Sequence, residues 1–353
     1  MKTPILPAHD AESIRAAVVA AAAALRRGEV VAVPTETVYG LAALPGHAAK
    51  LVAAKGRDEG KPFAWAFADR AAAATLVDLS ARGPRKLAER FWPGPLTLVA
   101  RRRDGDGTLG VRVPGHPFCT ALLRELGTPL LLTSANRSGA PDAVDAAGVA
   151  AALDGAIALI VDGGRAALGQ ASTVVSFAAE RPLIQREGLI DRSMVLRTAA
   201  RQVLFVCSGN TCRSPMAEAL LRARWAARLG LAPGDLLAHG GAVGSAGTGA
   251  RAGERASEEA VELLAARQID LTSHRARPVS LDLLRAADEV LAMTAGHLGQ
   301  LRQRAPELAA RCVLLDPDGN DIADPIGAGM RAYRQCLGQI ERALERRFTD
   351  LLG

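Results

Sequence analysis

Residues 207–215 place a nucleophile and an anion clamp close together in the chain. They read Cys-Ser-Gly-Asn-Thr-Cys-Arg-Ser-Pro and lie between an apolar run typical of a strand and a stretch typical of a helix. A thiolate that attacks a phosphate group needs backbone N–H donors around that group, and a turn that opens a helix supplies them. Arg213 can donate a planar fork to the phosphate oxygens, and positive surroundings favour the thiolate form of Cys207. The segment therefore predicts cleavage of a phosphate ester by a cysteine nucleophile.

The rest of this loop and a distant Asp-Pro pair complete the prediction. Asp324-Pro325, within the polar run 321–329, supplies a candidate general acid that protonates the leaving group. The alternative interpretations are a small buried cysteine at the end of a strand and a simple Asp-Pro turn. The predicted site has Cys207, Arg213 and Asp324 as catalytic residues, with loop support from Ser208, Gly209, Asn210, Thr211, Cys212 and Ser214. Within that loop, Ser214 is placed to donate a hydrogen bond to the Cys207 sulfur, and Asn210 to brace the backbone.

Residues 203–353 resemble the low-molecular-weight protein phosphatases. The resemblance rests on residues 203–218, Ser245-Ala-Gly-Thr248, His274-Arg-Ala-Arg277, Met293-Thr294 with His297, and Asp324-Pro325. It implies that Cys207 is the nucleophile, Arg213 the transition-state clamp, and Asp324 the acid that later activates water. Phosphorylated protein side chains are then the expected substrates. For Cys212 the interpretations are packing within the loop or, as the resemblance implies, a reversible disulfide with Cys207 that shields the nucleophile from further oxidation.

The residues around the Asp-Pro pair bear on the substrate. Tyrosine-specific members of that family carry aromatic residues directly after this pair, whereas Ile326 and Gly327 follow it here. Thr211 and the run 321–327 are more similar to the protein-arginine phosphatases of the family, so phosphoarginine is favoured over phosphotyrosine. The alternatives are a protein-tyrosine phosphatase, an arsenate reductase of the same fold, and a phosphate-binding protein without turnover. A binding protein would need neither Cys207 nor Asp324.

Polar segments in the first half of the chain predict a nucleotide-handling cleft. Pro34-Thr-Glu-Thr-Val-Tyr-Gly-Leu41 follows a buried strand, and Thr133-Ser-Ala-Asn136 ends another. Lys55-Gly-Arg-Asp-Glu-Gly-Lys61 holds cations that can neutralise a triphosphate and the pyrophosphate that leaves it. Taken singly, these segments also fit a capped turn, a polar loop and a solvated helix end.

Together with residues 110–114, His116-Pro117, 172–174 and 186–188, this ordered set resembles the YrdC-like threonylcarbamoyl-AMP synthases over about residues 10–190. The resemblance implies a twisted α/β fold with a concave basic face. The implied reaction converts L-threonine, bicarbonate and ATP into threonylcarbamoyl-AMP and pyrophosphate, the first step toward threonylcarbamoyl adenosine in certain tRNAs. The implied threonine ligands are Thr35, Arg112, Ser134 and Ser172, and the implied ATP ligands are Lys55, Arg57, Lys61, Thr108, Asn136 and Arg186.

This half also departs from that family. Ala66 stands where many members carry a histidine, which would remove one contact to threonine, and the C-terminal domain of longer members is replaced by the phosphatase. Magnesium is expected to arrive with ATP, with no protein-built metal site and no tightly bound cofactor. The alternative is a module that binds double-stranded RNA without catalysis, for which distributed Lys and Arg would suffice. The polar residues Thr35, Ser134, Asn136 and Ser172 favour the enzyme, with tRNA and the threonylcarbamoyl transferase machinery as expected partners.

The elements that must position these residues form two domains. A chain of 353 residues exceeds the usual size of one core, so we expect domains at 1–195 and 200–353. A helix at 12–27 and strands at 29–33, 96–100, 130–133, 157–161 and 173–177 indicate a mixed α/β first domain. After the polar stretch 191–202, strands at 203–206, 236–240 and 289–293 alternate with helices from Pro215 and at 254–267 and 331–352. This alternation predicts a doubly wound parallel sheet.

The composition of the chain indicates the charge of its partners and the compartment in which it acts. Its net charge of +6 and isoelectric point near 9.4 favour anionic partners. Its five cysteines form no CxxC pair, which favours reduced thiols and a cytoplasmic location. The first ten residues do not read as a secretory signal, and the longest apolar run near them is too short to span a membrane, so no membrane association is expected.

Overall fold

The computed structural model describes residues 2–56, 60, 62–179 and 181–352, with side chains as far as residue 347. The chain divides into two compact units, Met1–Ala199 and Ala200–Gly353. Within the described residues, no helix combines the length and the apolar character that crossing a membrane requires.

The first unit is built on one mixed sheet. In chain order its strands are β1 (Ile5–Pro7), β2 (Val31–Val33), β3 (Gly40–Ala43), β4 (Ala64–Ala66), β5 (Leu96–Arg101), β6 (Thr108–Arg112), β7 (Leu130–Ser134), β8 (Leu159–Asp162), β9 (Thr173–Ser176) and β10 (Leu183–Arg186). They are ordered β1-β8-β2-β3-β7-β4-β6-β5-β9-β10 across the sheet. The register sets Ser134 opposite Gly40, and Arg112 opposite both Thr97 and Ala66. Polar residues far apart in the chain are thereby brought to one region of the sheet.

Helices cover this sheet and bury small apolar side chains. They are α1 (Ala11–Arg26), α2 (Ala48–Lys55), α3 (Arg70–Ala74), α4 (Arg82–Phe91), α5 (Pro117–Leu126), α6 (Ala146–Leu153) and α7 (Arg192–Ala199). Helix α1 begins at a capping box, in which the Asp10 carboxylate accepts from the Ser13 N–H and the Ser13 hydroxyl accepts from the Asp10 N–H. Its alanines lie in one core cluster with α5, so close packing replaces the large rings that this sequence lacks.

The second unit contains a parallel sheet with helices on both faces, as predicted. Its strands β11 (Arg201–Cys207), β12 (Gly241–Gly247), β13 (Glu289–Ala292) and β14 (Cys312–Leu314) are ordered β12-β11-β13-β14. Its helices are α8 (Arg213–Arg228), α9 (Glu258–Ala265), α10 (Leu281–Ala286), α11 (Ala295–Arg304) and α12 (Gly329–Leu352). Alternate residues of β11 enter different clusters: Phe205 packs with α8, α9 and α12, and Val206 packs on the other face near α10 and α11. This alternation is why β11 is apolar along its length.

The strand predicted at 236–240 is wrong. Residues 236–239 lie in a short 3₁₀ helix, Pro233–His239, which Gly240 ends, and the strand is β12, which begins at Gly241. Proline at the first position suits a helical turn, because its missing N–H would be unpaired there. The polar stretch predicted at 191–202 contains helix α7 and the first residues of β11, and Val195 of α7 is fully buried.

Candidate active sites

The phosphate loop of the second unit connects the end of β11 to the start of α8. Cys207 is the last residue of β11 and is buried, with 2% of its surface exposed. Its Sγ lies 3.0 Å from the Ser214 hydroxyl and accepts a hydrogen bond from the Asn210 N–H at 3.3 Å. Two hydrogen-bonding groups therefore face the sulfur.

Asn210 braces this loop. Its φ of 57° is left-handed, a conformation that asparagine tolerates better than most residues. The side-chain amide donates to the hydroxyls of Ser214 at 2.9 Å and Ser245 at 2.8 Å. Its oxygen accepts from the Arg277 N–H at 2.9 Å, and its own backbone carbonyl lies 2.8 Å from Nε2 of His274. The motifs around Ser245, His274 and Arg277 thus meet at one buried side chain.

Arg213 and Asp324 lie next to each other although 111 positions separate them. The guanidinium is 5% exposed, and its Nη2 donates to Oδ2 of Asp324 at 2.5 Å and more weakly to the Ser208 hydroxyl at 3.4 Å. Nη1 donates to the Ile322 carbonyl at 3.3 Å. The carboxylate of Asp324 is 44% exposed, so a leaving group can approach it from solvent.

The loop that carries Asp324 is held at several points that the sequence did not reveal. The Ile322 N–H donates to the Met293 carbonyl at 2.8 Å, and the Ala323 N–H donates to Oε1 of Gln339 on α12 at 3.1 Å. Asp321 accepts from the Ala295 N–H at 2.7 Å. Gln339 follows Asp324 by 15 positions within an amphipathic pattern, so no local signal marks it.

His297 supports the loop from a second side. Its Nε2 lies 2.9 Å from the Ser208 hydroxyl and its Nδ1 lies 2.8 Å from the Thr294 hydroxyl. Burial lowers the pKa of His297, and the neighbouring Arg213 guanidinium lowers this pKa further. The imidazole therefore favours its neutral form, in which one ring nitrogen donates and the other accepts.

Cys212 packs against α12. Its Sγ lies 3.1 Å from the hydroxyl of Tyr333 and 3.5 Å from that of Thr211. Cys207 and Cys212 are both free thiols here, and the disulfide between them stays a prediction. Burial raises the pKa of Tyr333, and burial raises the pKa of the nearby Cys336 thiol to about 12. Tyr333 had no sequence signal, because one tyrosine in a helix commonly belongs to the core.

The first unit contains a cavity of about 420 Å³ at the polar region of its sheet. Six residues predicted to bind threonine or ATP line it: Thr35, Thr108, Arg112, Ser134, Ser172 and Arg186. Of the other predicted ATP ligands, Lys55 and Asn136 adjoin Ser134, whereas Arg57 and Lys61 lie outside the described residues.

Arg112 is held by a carboxylate beside this cavity. Its Nη2 donates to Oε1 of Glu36 at 2.7 Å and to the Thr37 hydroxyl at 2.8 Å, while Oε2 of Glu36 accepts from the Gly115 N–H at 2.9 Å. Arg112 is 7% exposed, and its Nε has no hydrogen-bond partner among the described residues. A buried guanidinium donor without a partner is costly unless a ligand supplies an acceptor.

Lys55 organises the loop after β7. Its ammonium donates to Oδ1 of Asn136 at 2.7 Å and to the Ser134 carbonyl at 2.6 Å, and the Ser134 hydroxyl donates to the same Asn136 oxygen at 2.7 Å. All of these groups are mostly buried. The predicted ligands Lys55, Ser134 and Asn136 therefore form one connected network.

A second network surrounds Ser172, which also lines the cavity. The Ser172 hydroxyl lies 2.9 Å from that of Thr97 and accepts from Nη2 of Arg186 at 3.1 Å. Burial lowers the pKa of Arg186, with a smaller opposing contribution from Asp142. Sequence reasoning missed Thr97, which lies inside a strand where a β-branched residue is unremarkable.

Two further expectations concern Ala66 and magnesium. Ala66, at the end of β4, is 2% exposed, packs in the core cluster of α1 and α5, and does not line the cavity. Among the residues that the structure describes, no group of three or more His, Cys, Asp or Glu side chains is arranged to hold a metal ion.

The comparisons with known proteins address each unit in turn. The family model Sua5_yciO_yrdC, described as telomere recombination, matches residues 23–188, and the model for low molecular weight phosphotyrosine protein phosphatase matches residues 202–352. Threonylcarbamoyl-AMP synthase of Bacillus subtilis is 43% identical over 190 residues, which make up 50% of this chain and 54% of that protein. This chain therefore spans about half the length of that relative.

Other relatives are covered almost completely. A putative threonylcarbamoyl-AMP synthase of Mycobacterium tuberculosis (strain H37Rv) is 33% identical over 197 residues, covering 53% of this chain and 90% of that protein. The solved structure of YwlE arginine phosphatase from Geobacillus stearothermophilus is 35% identical, with a TM-score of 0.38, and matches 43% of this chain and 92% of that one. The chain thus belongs to the Sua5/YciO/YrdC family through residues 23–188 and to the low-molecular-weight phosphatase family through residues 202–352, two families of enzymes joined in one polypeptide.

Proposed function

We propose that the first unit makes threonylcarbamoyl-AMP and pyrophosphate from L-threonine, bicarbonate and ATP. The observation that carries this proposal is the cavity of about 420 Å³, whose wall combines guanidinium groups with small hydroxyls. Such a wall suits a small zwitterion that carries a hydroxyl, next to a polyphosphate. A module that only binds RNA would need surface cations but not buried hydroxyl networks.

We propose that threonine and ATP bind at different groups of residues in the cavity. A threonine carboxylate beside Arg112 would give the unpartnered Nε an acceptor, with the hydroxyls of Thr35, Ser134 and Ser172 around it. Arg186 lines the cavity and Lys55 adjoins its lining residue Ser134, and ATP is proposed to bind near these two cations as its magnesium complex. Cations there would stabilise the charge that develops on pyrophosphate as it leaves.

Pyrophosphate release tests this assignment. The purified protein is expected to release pyrophosphate from ATP and Mg²⁺ only when both L-threonine and bicarbonate are present. ATP turnover that does not depend on threonine would reject the synthase. A gel-shift titration with tRNA in the absence of ATP then addresses the RNA-binding alternative.

For the second unit, we propose hydrolysis of phosphorylated protein side chains through a phosphocysteine intermediate. The thiolate of Cys207 forms an S–P bond as the bond from phosphorus to the leaving group breaks. Asp324 gives its proton to an oxygen leaving group, then takes a proton from the water that attacks phosphorus. This attack breaks the S–P bond, releases inorganic phosphate and regenerates the Cys207 thiolate. Arg213 lies beside Asp324, where its fork can hold the phosphate oxygens during both steps.

We propose phosphoarginine as the preferred substrate, with phosphotyrosine as the alternative. In the described structure, Ile326 follows the Asp-Pro pair and is 66% exposed, so no aromatic side chain there flanks a substrate ring. Thr211 lies in the phosphate loop, where it would limit bulky aryl groups and leave room for a planar guanidinium. In this reaction the bond that breaks is P–N rather than P–O.

The ratio of kcat/KM on phosphoarginine and phosphotyrosine peptides decides between these substrates. The native protein is expected to prefer phosphoarginine, and Thr211→Ile is expected to shift the ratio. A preference for phosphotyrosine that the substitution leaves unchanged would assign a general tyrosine phosphatase. Arsenate reduction coupled to thiol oxidation would assign an arsenate reductase, and phosphate binding without turnover would assign a binding protein.

We further propose that the chain acts in the cytoplasm and that its adenylate product goes to the machinery that modifies tRNA. The five free, buried cysteines support a reducing compartment. Addition of tRNA and a threonylcarbamoyl transferase to the synthase reaction is expected to give modified adenosine, measured by mass spectrometry of digested tRNA.

A further inference from the structure

We infer that a basic groove beside Asp324 receives an acidic segment of the phosphorylated substrate, so that proteins with Asp or Glu close to the phosphorylated residue are preferred. This inference rests on the proposed phosphatase function. The groove has a volume of about 360 Å³ and lies between residues 323–325 and helix α12. Its lining includes Asp324, Pro325, Arg334, Gln335, Arg342 and Gln339.

The charge of this groove comes from Arg334 and Arg342. They are eight positions apart on α12, and with Gly338 between them they share one face of the helix. Both side chains are exposed, and neither has an ion-pair or hydrogen-bond partner among the side chains that the structure describes.

Other arginines near the end of this helix are used within the protein. Arg346 forms ion pairs with Asp316 and Asp318, and Arg347 donates to the carbonyls of Leu314 and Leu315. Arg334 and Arg342 differ from these two arginines, because the described residues provide no acceptor for either of them. Such cations raise the local concentration of anionic groups and speed their encounter with the site.

Gly338 lines the groove between the two arginines. This residue contributes no side chain, and a Cβ at its position would lie 3.4 Å from Nη1 of Arg342. Gln339 ties the helix to the acid loop, because its Oε1 accepts from the Ala323 N–H. The groove is therefore held at a fixed place relative to Asp324, within reach of residues that neighbour a phosphorylated side chain bound in the loop.

An acidic peptide fits this groove better than RNA does. Asp324 is part of the lining, so whatever occupies the groove during catalysis is most simply the same chain that carries the phosphate. The amides of Gln335 and Gln339 also line it and can bond to peptide backbone groups.

Matched phosphopeptides test the inference. Phosphoarginine and phosphotyrosine peptides would carry aspartates, serines or lysines on either side of the modified residue, with para-nitrophenyl phosphate as a substrate that has no flank. We expect kcat/KM to be about fivefold higher with aspartates than with serines, and the difference to shrink in about 0.5 M NaCl. Arg334→Glu and Arg342→Glu should each abolish this preference and leave para-nitrophenyl phosphate turnover unchanged.

Arg304→Glu is the matched control, because Arg304 is an exposed arginine of the same unit at the end of α11. Equal preference for aspartate in Arg334→Glu and Arg304→Glu, or no preference in the native protein, would overturn the inference while para-nitrophenyl phosphate is still cleaved. No cleavage of para-nitrophenyl phosphate would instead refute the phosphatase itself. Inhibition by tRNA that Arg334→Glu relieves, without any preference for aspartate, would assign the groove to RNA and also overturn the inference.

Discussion

Nη2 of Arg213 lies 2.5 Å from Oδ2 of Asp324, and this ion pair joins the first residue of α8 to the loop before α12. The same guanidinium also donates to the Ile322 carbonyl. The anion clamp therefore helps to fix the backbone that presents the proton donor. A substitution of Asp324 has two consequences that an experiment must separate, the loss of the acid and a change in how Arg213 is held.

Asp324→Asn separates them, because its amide oxygen can still accept from Arg213 but it supplies no acid. Hydrolysis of phenyl phosphate, whose leaving group needs a proton, is expected to fall by about 100-fold or more. Hydrolysis of para-nitrophenyl phosphate should fall less, because its phenolate leaves more easily. The kcat/KM values on both esters, which report the steps up to departure of the leaving group, measure the difference, and Asp324→Ala gives the added effect of the lost contact. Equal losses on the two esters would show that Asp324 is not the acid.

Asn210 offers a test of the loop that distinguishes backbone conformation from hydrogen bonding. Asn210→Gly keeps the left-handed conformation and loses the side-chain bonds to Ser214, Ser245 and the Arg277 N–H. It should lower the free energy of unfolding by about 1–3 kcal/mol, because buried groups lose partners. Asn210→Ala should cost about 1 kcal/mol more, since alanine disfavours this conformation. Urea unfolding measures both, and equal stability of the two variants would contradict the conformational part.

The sequence identified the chemistry of the loop more completely than the elements that support it. Cys207 and Arg213 stand in one short motif, and β11 and α8 follow from apolar pattern and position. Strand β12 was missed because it is rich in glycine, which has low strand propensity. Two of its glycines allow other segments to approach the strand closely. A Cβ at Gly244 would lie 2.6 Å from Nη2 of Arg277, and one at Gly247 would lie 2.3 Å from the Ser208 carbonyl. Such close approaches arise only when distant segments meet, so periodicity cannot show them.

In the first unit, too, local sequence patterns do not show which distant residues come into contact. A resemblance predicts that Thr35, Arg112, Ser134 and Ser172 share one site, and all four line the cavity. The strand register brings Ser134 and Arg112 there, because it sets Ser134 opposite Gly40 and Arg112 opposite Thr97. The partners Thr97 and Glu36 depend on that register, which local patterns do not specify.

Glu36→Gln tests whether the Glu36 carboxylate positions Arg112 for threonine. The substitution removes the ion pair at 2.7 Å and leaves a mostly buried guanidinium without its counter-ion. We expect the KM for threonine to rise by about tenfold, which corresponds to about 1.4 kcal/mol, while the KM for ATP stays the same. Pyrophosphate release at varied threonine and ATP measures both constants.

Glu29→Gln is the control, because Glu29 forms an ion pair with Arg27 on the surface of the same unit. Exposed pairs of this kind contribute little to stability or binding. If Glu36→Gln raised the two KM values equally, the carboxylate would support the cavity as a whole rather than the threonine site.

From the lowered pKa of the buried His297 we predict how the free energy of unfolding of the second unit depends on pH. Burial and the Arg213 guanidinium hold the pKa of His297 below its ordinary value of about 6.5. The unfolded chain therefore takes up a proton on this residue at a higher pH than the folded chain does. The unfolded state binds more protons between the lowered pKa and pH 6.5, so the free energy of unfolding must fall as the pH is lowered through that window.

Urea unfolding at pH 7.5 and 5.5 measures this effect. The native protein should lose stability at the lower pH, and His297→Gln should lose less, because glutamine can still bond to the hydroxyls of Ser208 and Thr294 but does not titrate. His239→Gln is the control in the same unit, since His239 is partly exposed and its Nδ1 lies 2.9 Å from the Asp235 carbonyl, away from the phosphate loop. An identical loss in His297→Gln and the native protein would show that His297 is not the group responsible.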